Sequence, residues 1–307
     1  MDFMKEALKL AKKSAAEGEV PIGAVLVLSF VMGFIVFFLN VMISSLFSAI
    51  LEWIGYRSGS SGGVMTSYPI WLLLVNLILT AVLPAICEET AHRGMLLSTR
   101  MGKNYKWTIV ISSAMFALLH MNVDQVFYAF VIGLYLGYMS FYSRTIYPAM
   151  IVHFTNNALS VLLTYSNVRG TGFAGMFSRF AAIISSNAIF GVVLIIALAF
   201  ILIYLLLKLT KSMFIVNATS QIFLNRGALD KFVQRENFFA EIREIKGEKE
   251  PEFNPELLFA KSEEVLRDLF NIRDMGRRED TISRILMWLS IILMTAVTVF
   301  TFVWGII

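Results

Sequence analysis

The chain has 307 residues, 57% of them hydrophobic and 16% charged, and a mean hydropathy of +0.71, against roughly 45–50% apolar and 25% charged in a soluble domain. Its formal net charge of +4 and pI near 9.1 come mostly from Lys and Arg in the connections between apolar runs. That is the pattern membrane topology demands on the cytoplasmic side, and it leaves no nucleic-acid partner to be inferred. One cysteine, Cys87, excludes disulfides and Cys-rich zinc sites.

Residues 1–27 differ in character from the rest of the chain. Lys5, Lys9, Lys12 and Lys13 interleave with Phe3, Ala7, Leu8 and Ala11 at helical spacing, an amphipathic pattern. Then comes Gly-Glu-Val-Pro-Ile-Gly-Ala-Val-Leu-Val. The stretch resembles the first helix and first strand of bacterial tRNA adenosine deaminases. That chemistry needs a zinc held by one His and two Cys, with a Glu as proton shuttle, in an H-x-E … P-C-x-x-C pattern. Here one cysteine stands alone and no His is followed two residues later by Glu. Deaminase activity is excluded, and 1–27 reads as a fused remnant, a chimeric start or a cytoplasmic amphipathic lead-in.

From Leu28 the apolar runs are long enough to cross a bilayer, which takes about 20 residues per helix. They are Leu28–Ile54, Pro69–Ile86, Trp107–Met121, Val126–Tyr142, Tyr147–Tyr165, Ile183–Leu207 and Ile285–Ile307. The second is expected to run on through a polar turn towards Arg100. Gly-Ser-Ser-Gly-Gly at 59–63 is a flexible connection. The predicted architecture is an all-α, multi-pass bundle of about seven membrane helices. Residues 28–207 form its core, 208–283 a charged cytoplasmic helical insertion, and 284–307 a last membrane helix. With the Lys-rich start inside, Arg100, Lys103, Lys106, Arg144 and the 208–283 segment all fall on the cytoplasmic side. Only the connection Ser166–Arg179, with Arg169 and Arg179, opposes the charge rule.

Ionisable residues inside such runs cost roughly 2.5–3.5 kcal/mol each on insertion scales and are expected to face a protein interior or a wet cavity. All three histidines of the chain belong to three such groups. The first is Cys87-Glu88-Glu89-Thr90-Ala91-His92-Arg93-Gly94. Glu89 and Arg93, four apart, share a helix face and can pair. Glu88 lies about 100° round and lacks that partner, so one carboxylate is held ionised while the other is left to trade protons. The second group is Phe116…His120 at the end of an apolar helix. The third is His153…Asn157, again four apart on one face. Taken singly, the first reads equally as a helix-end ion pair, the second as packing, and the third as interhelical hydrogen bonding. Three helices carrying complementary donors and acceptors match the inventory of a hydrolase better than that of structural glue.

In order along the chain these groups read E-E-x-x-x-R, F-x-x-x-H and H-x-x-x-N, a pattern that resembles the CPBP family, the intramembrane CAAX prenyl proteases and bacteriocin-processing enzymes. The resemblance spans about 69–165. It implies Glu88 as general base, polarising water together with His120, and Glu89 and Arg93 as holders of that helix and its charge. It also implies His153 and Asn157 as donors to the tetrahedral oxyanion. Family members have been described both as metalloproteases and as metal-independent glutamate peptidases. A zinc, were there one, would draw on His120, His153 and Glu88, but no H-E-x-x-H is present and no cofactor is expected. His92 is not a required family position; it lies one turn from Glu88 and either tunes it or packs. Thr90 stands where the family often carries a bulky apolar residue.

The expected activity is hydrolysis of a peptide bond in a membrane-anchored or membrane-inserting peptide, in a multi-pass protein of a bacterial cytoplasmic membrane. A bacterial source, suggested by the deaminase-like start, favours bacteriocin-type leader processing, self-immunity or signalling proteolysis over prenylated substrates. The alternatives are a proton-coupled membrane transporter and a catalytically silent immunity or scaffold protein. Against a carrier, the sequence shows neither duplicated halves nor matching broken helices.

Overall fold

The computed structural model describes residues 22–57, 68–97, 105–143, 145–170, 172–224 and 281–306. The amphipathic segment up to residue 21, the 59–63 turn, Arg100, Lys103, Arg144 and the insertion from 225 to 280 lie outside the described residues. Every described element is helical. In chain order α1 is Ile22–Trp53. α2 is one continuous helix of four consecutive stretches, Ile70–Asn76, a π-helical Leu77–Val82, Leu83–Glu89 and a second π-helical Thr90–Leu97. α3 is Tyr105–Leu118, α4 Val123–Ser143 and α5 Tyr147–Arg169. α6 is Gly172–Ser185, α7 Ala188–Leu224 and α8 Thr281–Ile306.

Four stretches are long and apolar enough to cross a membrane, Val25–Trp53, Ile70–Leu96, Val123–Ser143 and Ile189–Met213, with shorter apolar helices at Tyr105–Leu118, Gly172–Ile184 and Trp288–Val303. The chain is an integral membrane protein. Its helices invert the pattern of a soluble protein. On α2 the residues exposed outward are Ile70, Trp71, Leu74, Ile78, Leu79, Leu83 and Ile86, whereas Glu89, His92 and Arg93 are buried. Lipid solvates the apolar face, and the polar one turns inward, where partners can satisfy it.

The predicted span Tyr147–Tyr165 does form, as α5, yet it is too polar to count among the four. Its Val152, His153, Thr155 and Asn156 are buried, because α5 packs against α2, α4 and α6. A helix enclosed by other helices has no need of an apolar surface all round. Two expected boundaries also move. The connection Ser166–Arg179 is not a loop: α5 continues to Arg169, ends on Gly170 in the left-handed region at φ 65°, and α6 begins two residues later. The Ser166 hydroxyl accepts from the Ala174 amide at 2.8 Å, which secures this corner. Asn187 then opens α7, its side-chain oxygen accepting from the Phe190 amide at 3.1 Å, and α7 runs past Leu207 to Leu224.

The chain divides into two compact units, Met1–Leu28 with Leu207–Arg273, and Ser29–Leu206 with Asp274–Ile307. The described part of the first is the helical start of α1 and the helical end of α7. In the second, α3 and α4 form a tight pair joined by a turn whose Met121 sits at φ 49°, and α8 packs on both. The end of α1 is tied to this pair by Tyr56, whose hydroxyl donates to Asp124 at 3.3 Å and whose ring stacks on Phe302 of α8.

Candidate active site

Helix α2 supplies the acidic half of the site. The i, i+4 spacing brings Arg93 Nη1 to Glu89 Oε1 at 2.9 Å, with both side chains fully buried. Arg93 Nη2 donates to the backbone carbonyl of Gly133 in α4 at 3.0 Å. Glycine is required there for space, since a Cβ would meet both Phe116 and Ser113 at 3.2 Å. The same Glu89 oxygen is met from α5 by His153 Nδ1 at 2.8 Å. A carboxylate only accepts, so Nδ1 carries the proton and Nε2 is the nitrogen turned to the site. There it lies 4.0 Å from Glu88 Oε2. Glu88, one residue earlier than Glu89, keeps its side chain 35% exposed. The π turn beginning at Thr90 widens the helix directly after the two carboxylates, a distortion frequent at functional sites in helices.

Phe116 of α3 holds these parts together. The rings of His92, His120 and His153 each stand at a steep angle to it, with centroids at 5.5, 5.3 and 5.7 Å. The Arg93 guanidinium lies over its face at 4.5 Å. Three helices are thus gathered on one buried ring. His120 sits in the turn just past α3, two residues beyond the last helical residue. Its Nδ1 pairs with the Phe116 carbonyl at 3.0 Å; a carbonyl only accepts, so its Nε2 also points away as a free lone pair. His92 is buried against Phe116 and contributes its carbonyl to the Ser112 hydroxyl at 3.0 Å. Thr90 is exposed and returns its hydroxyl to the Ile86 carbonyl at 2.6 Å.

Asn157 lies one turn beyond His153. Its Nδ2 donates to the backbone carbonyl of Thr80 in α2 at 2.9 Å. Pro84, four residues on, has no N–H for an i+4 bond to Thr80 O, but Thr80 stands in the π-helical stretch Leu77–Val82, whose bonds come from residue i+5. Asn157 Oδ1 accepts from Asn156 Nδ2 at 2.9 Å, and Asn156 Oδ1 accepts from Asn40 Nδ2 of α1 at 3.2 Å. Asn156, Asn40, Thr80 and Gly133 were not among the residues expected from sequence. Asn40 had a signal, being the one amide inside the apolar run Leu28–Ile54; the backbone acceptors had none.

The structure therefore brings Glu88, Glu89, Arg93, His120 and His153 together around Phe116, while Asn157, one turn further along α5, is bonded to Thr80 O two turns before Glu88. Among the described residues no three His, Cys, Asp or Glu side chains are grouped to hold an ion; Glu89 engages His153 Nδ1 and leaves its Nε2 to the site.

Residues 69–159 match the family model described as Rce1-like, type II CAAX prenyl endopeptidase Rce1-like. The stretch runs from the start of α2 into α5 and contains all six of these residues. No curated protein and no solved structure matches the chain.

Proposed function

From the match of residues 69–159 to the Rce1-like family model, we propose that the chain is an intramembrane endopeptidase in which Glu88 activates water. The substrate is a membrane-anchored or membrane-inserting peptide. The observation that carries this reading is the unequal treatment of two adjacent carboxylates. Glu89 is enclosed by Arg93 and His153, while Glu88 stays partly exposed beside His153 Nε2. One carboxylate is bound up in structure and the other is free to take a proton.

In the proposed reaction Glu88, helped by the lone pair on His120 Nε2, takes a proton from water as the oxygen adds to the peptide carbonyl carbon. The carbonyl oxygen becomes an oxyanion. His153, in its doubly protonated form, donates to it from Nε2. So does the Asn157 amide hydrogen not engaged by Thr80. Donors of this kind are typically worth about 10²–10³ each in rate. Collapse of the intermediate breaks the C–N bond, and the proton on Glu88 passes to the leaving nitrogen. The products are a carboxylate and an amine.

The test is reconstitution of the full chain in liposomes with a fluorogenic library of membrane peptides, comparing wild type with Glu88→Gln and His120→Ala. The expected result is cleavage by the wild type, reduced about 10²–10⁴-fold without the general base. A Glu88→Gln protein that cleaves as well as wild type overturns the reading. So does an inactive wild type that instead supports ion-dependent solute uptake.

A further inference from the structure

The bonds around Asn157 continue as a directed chain. The Ser44 hydroxyl donates to Asn40 Oδ1 at 3.1 Å, and Asn40 Nδ2 donates to Asn156 Oδ1 at 3.2 Å. Asn156 Nδ2 then donates to Asn157 Oδ1 at 2.9 Å, and Asn157 Nδ2 to Thr80 O at 2.9 Å. The last acceptor is a peptide carbonyl and cannot reverse. It fixes the orientation of Asn157, which fixes Asn156, which fixes Asn40, because each primary amide has one accepting and one donating end. Two of the links, Asn40 to Asn156 and Asn157 to Thr80, join separate helices of the bundle, where unsatisfied polar groups cost several kcal/mol. The chain therefore has one low-energy direction.

We propose that Asn40, in α1 and outside the matched segment 69–159, is a positioning residue for the site. It acts through Asn156 and Asn157 to hold the Thr80 carbonyl of α2. Thr80 lies two turns before Glu88 on the same helix, so this hold sets where the Glu88 carboxylate stands relative to α5 and His153. The same relay aims the second Asn157 amide hydrogen. The inference rests on the peptidase reading for its activity arm, but the relay itself is testable without it.

Asn40→Asp is nearly isosteric and keeps the packing. Ionised, it can only accept; Asn156 must turn its amide towards it, Asn157 must follow, and an oxygen then faces Thr80 O. Protonated, the carboxylic acid donates and the chain is restored. The full chain in liposomes is assayed across pH on a peptide that the wild type cleaves, with Asn40→Asp and Asn40→Leu each expressed relative to wild type at every pH. The ratio for Asn40→Asp is expected to fall as pH rises, mainly in kcat, by up to the order of 10²-fold that a misplacement of about 1 Å produces. The ratio for Asn40→Leu is expected to be low and flat.

A thermal-unfolding cycle reads the relay without activity. Asn157→Ala and Asn40→Asp at alkaline pH break the same relay, so the double variant should lose less Tm than the sum of the two single losses. A flat Asn40→Asp ratio or additive Tm losses overturn the proposal. If no peptide is cleaved by the wild type, the peptidase reading fails and the unfolding cycle alone decides the relay.

Discussion

Glu89 Oε1 lies between Arg93 Nη1 at 2.9 Å and His153 Nδ1 at 2.8 Å, one partner from its own helix and one from α5. A carboxylate without access to water is tolerated only when paired and hydrogen-bonded. Both conditions are met, and α2 and α5 are locked to each other as a result. The guanidinium extends the lock to α4 through the Gly133 carbonyl.

Removing Arg93 leaves Glu89 buried with an uncompensated charge and Gly133 O without its donor. Arg93→Met is expected to destabilise by about 3–5 kcal/mol. Adding Glu89→Gln removes the stranded charge, so the double variant should lose less than the sum of the singles, as residues in one network do. Equilibrium unfolding in detergent micelles measures all three. Strict additivity would mean that the pair is not a unit.

How far the sequence foretold this depends on whether a contact is local. Glu89–Arg93 follows from a spacing of four, and Phe116 beside His120 follows in the same way. His153 reaching Glu89 does not, because no periodicity states which side chain of α5 meets which of α2. Asn157 illustrates the difference best. Its shared face with His153 was legible, but its bond to Thr80 joins two helices that no spacing relates. The polarity of Tyr147–Arg169 likewise became intelligible only once neighbouring helices were seen to enclose it.

Chelation should leave the site unaffected. In the proposed reaction Glu88 and His120 move the proton while His153 and Asn157 hold the oxyanion, so no step calls for an ion. Peptide cleavage and Tm are both expected to be unchanged after prolonged treatment with chelator. Cleavage lost to chelator and restored by zinc would contradict this assignment.

Gly33 of α1 lies directly against Thr155 of α5. A Cβ there would lie 2.5 Å from Thr155 Cβ, and Thr155 is β-branched, stiff and buried, so the helices themselves must part. Gly33→Ala is expected to destabilise by about 1–3 kcal/mol, the usual scale of overpacking. Gly175→Ala in α6 meets nothing within 4 Å and should stabilise by about 0.5–1 kcal/mol through helix propensity alone. Opposite signs at the two glycines, read by unfolding, are the check.

Phe116 carries the last prediction. Its ring gathers His92, His120, His153 and Arg93, yet it has no proton to give. Phe116→Leu keeps apolar bulk but removes the aromatic face under Arg93, worth about 0.5–2 kcal/mol, and the edge that sets the angles of the histidine rings. Stability should fall by about that amount. Cleavage should fall further than stability accounts for, because His120 and His153 lose the surface that orients them while remaining present. Measuring kcat/KM beside Tm for Phe116→Leu and for an equally destabilising change far from the site separates the two effects. Equal activity losses in both variants would reduce Phe116 to packing.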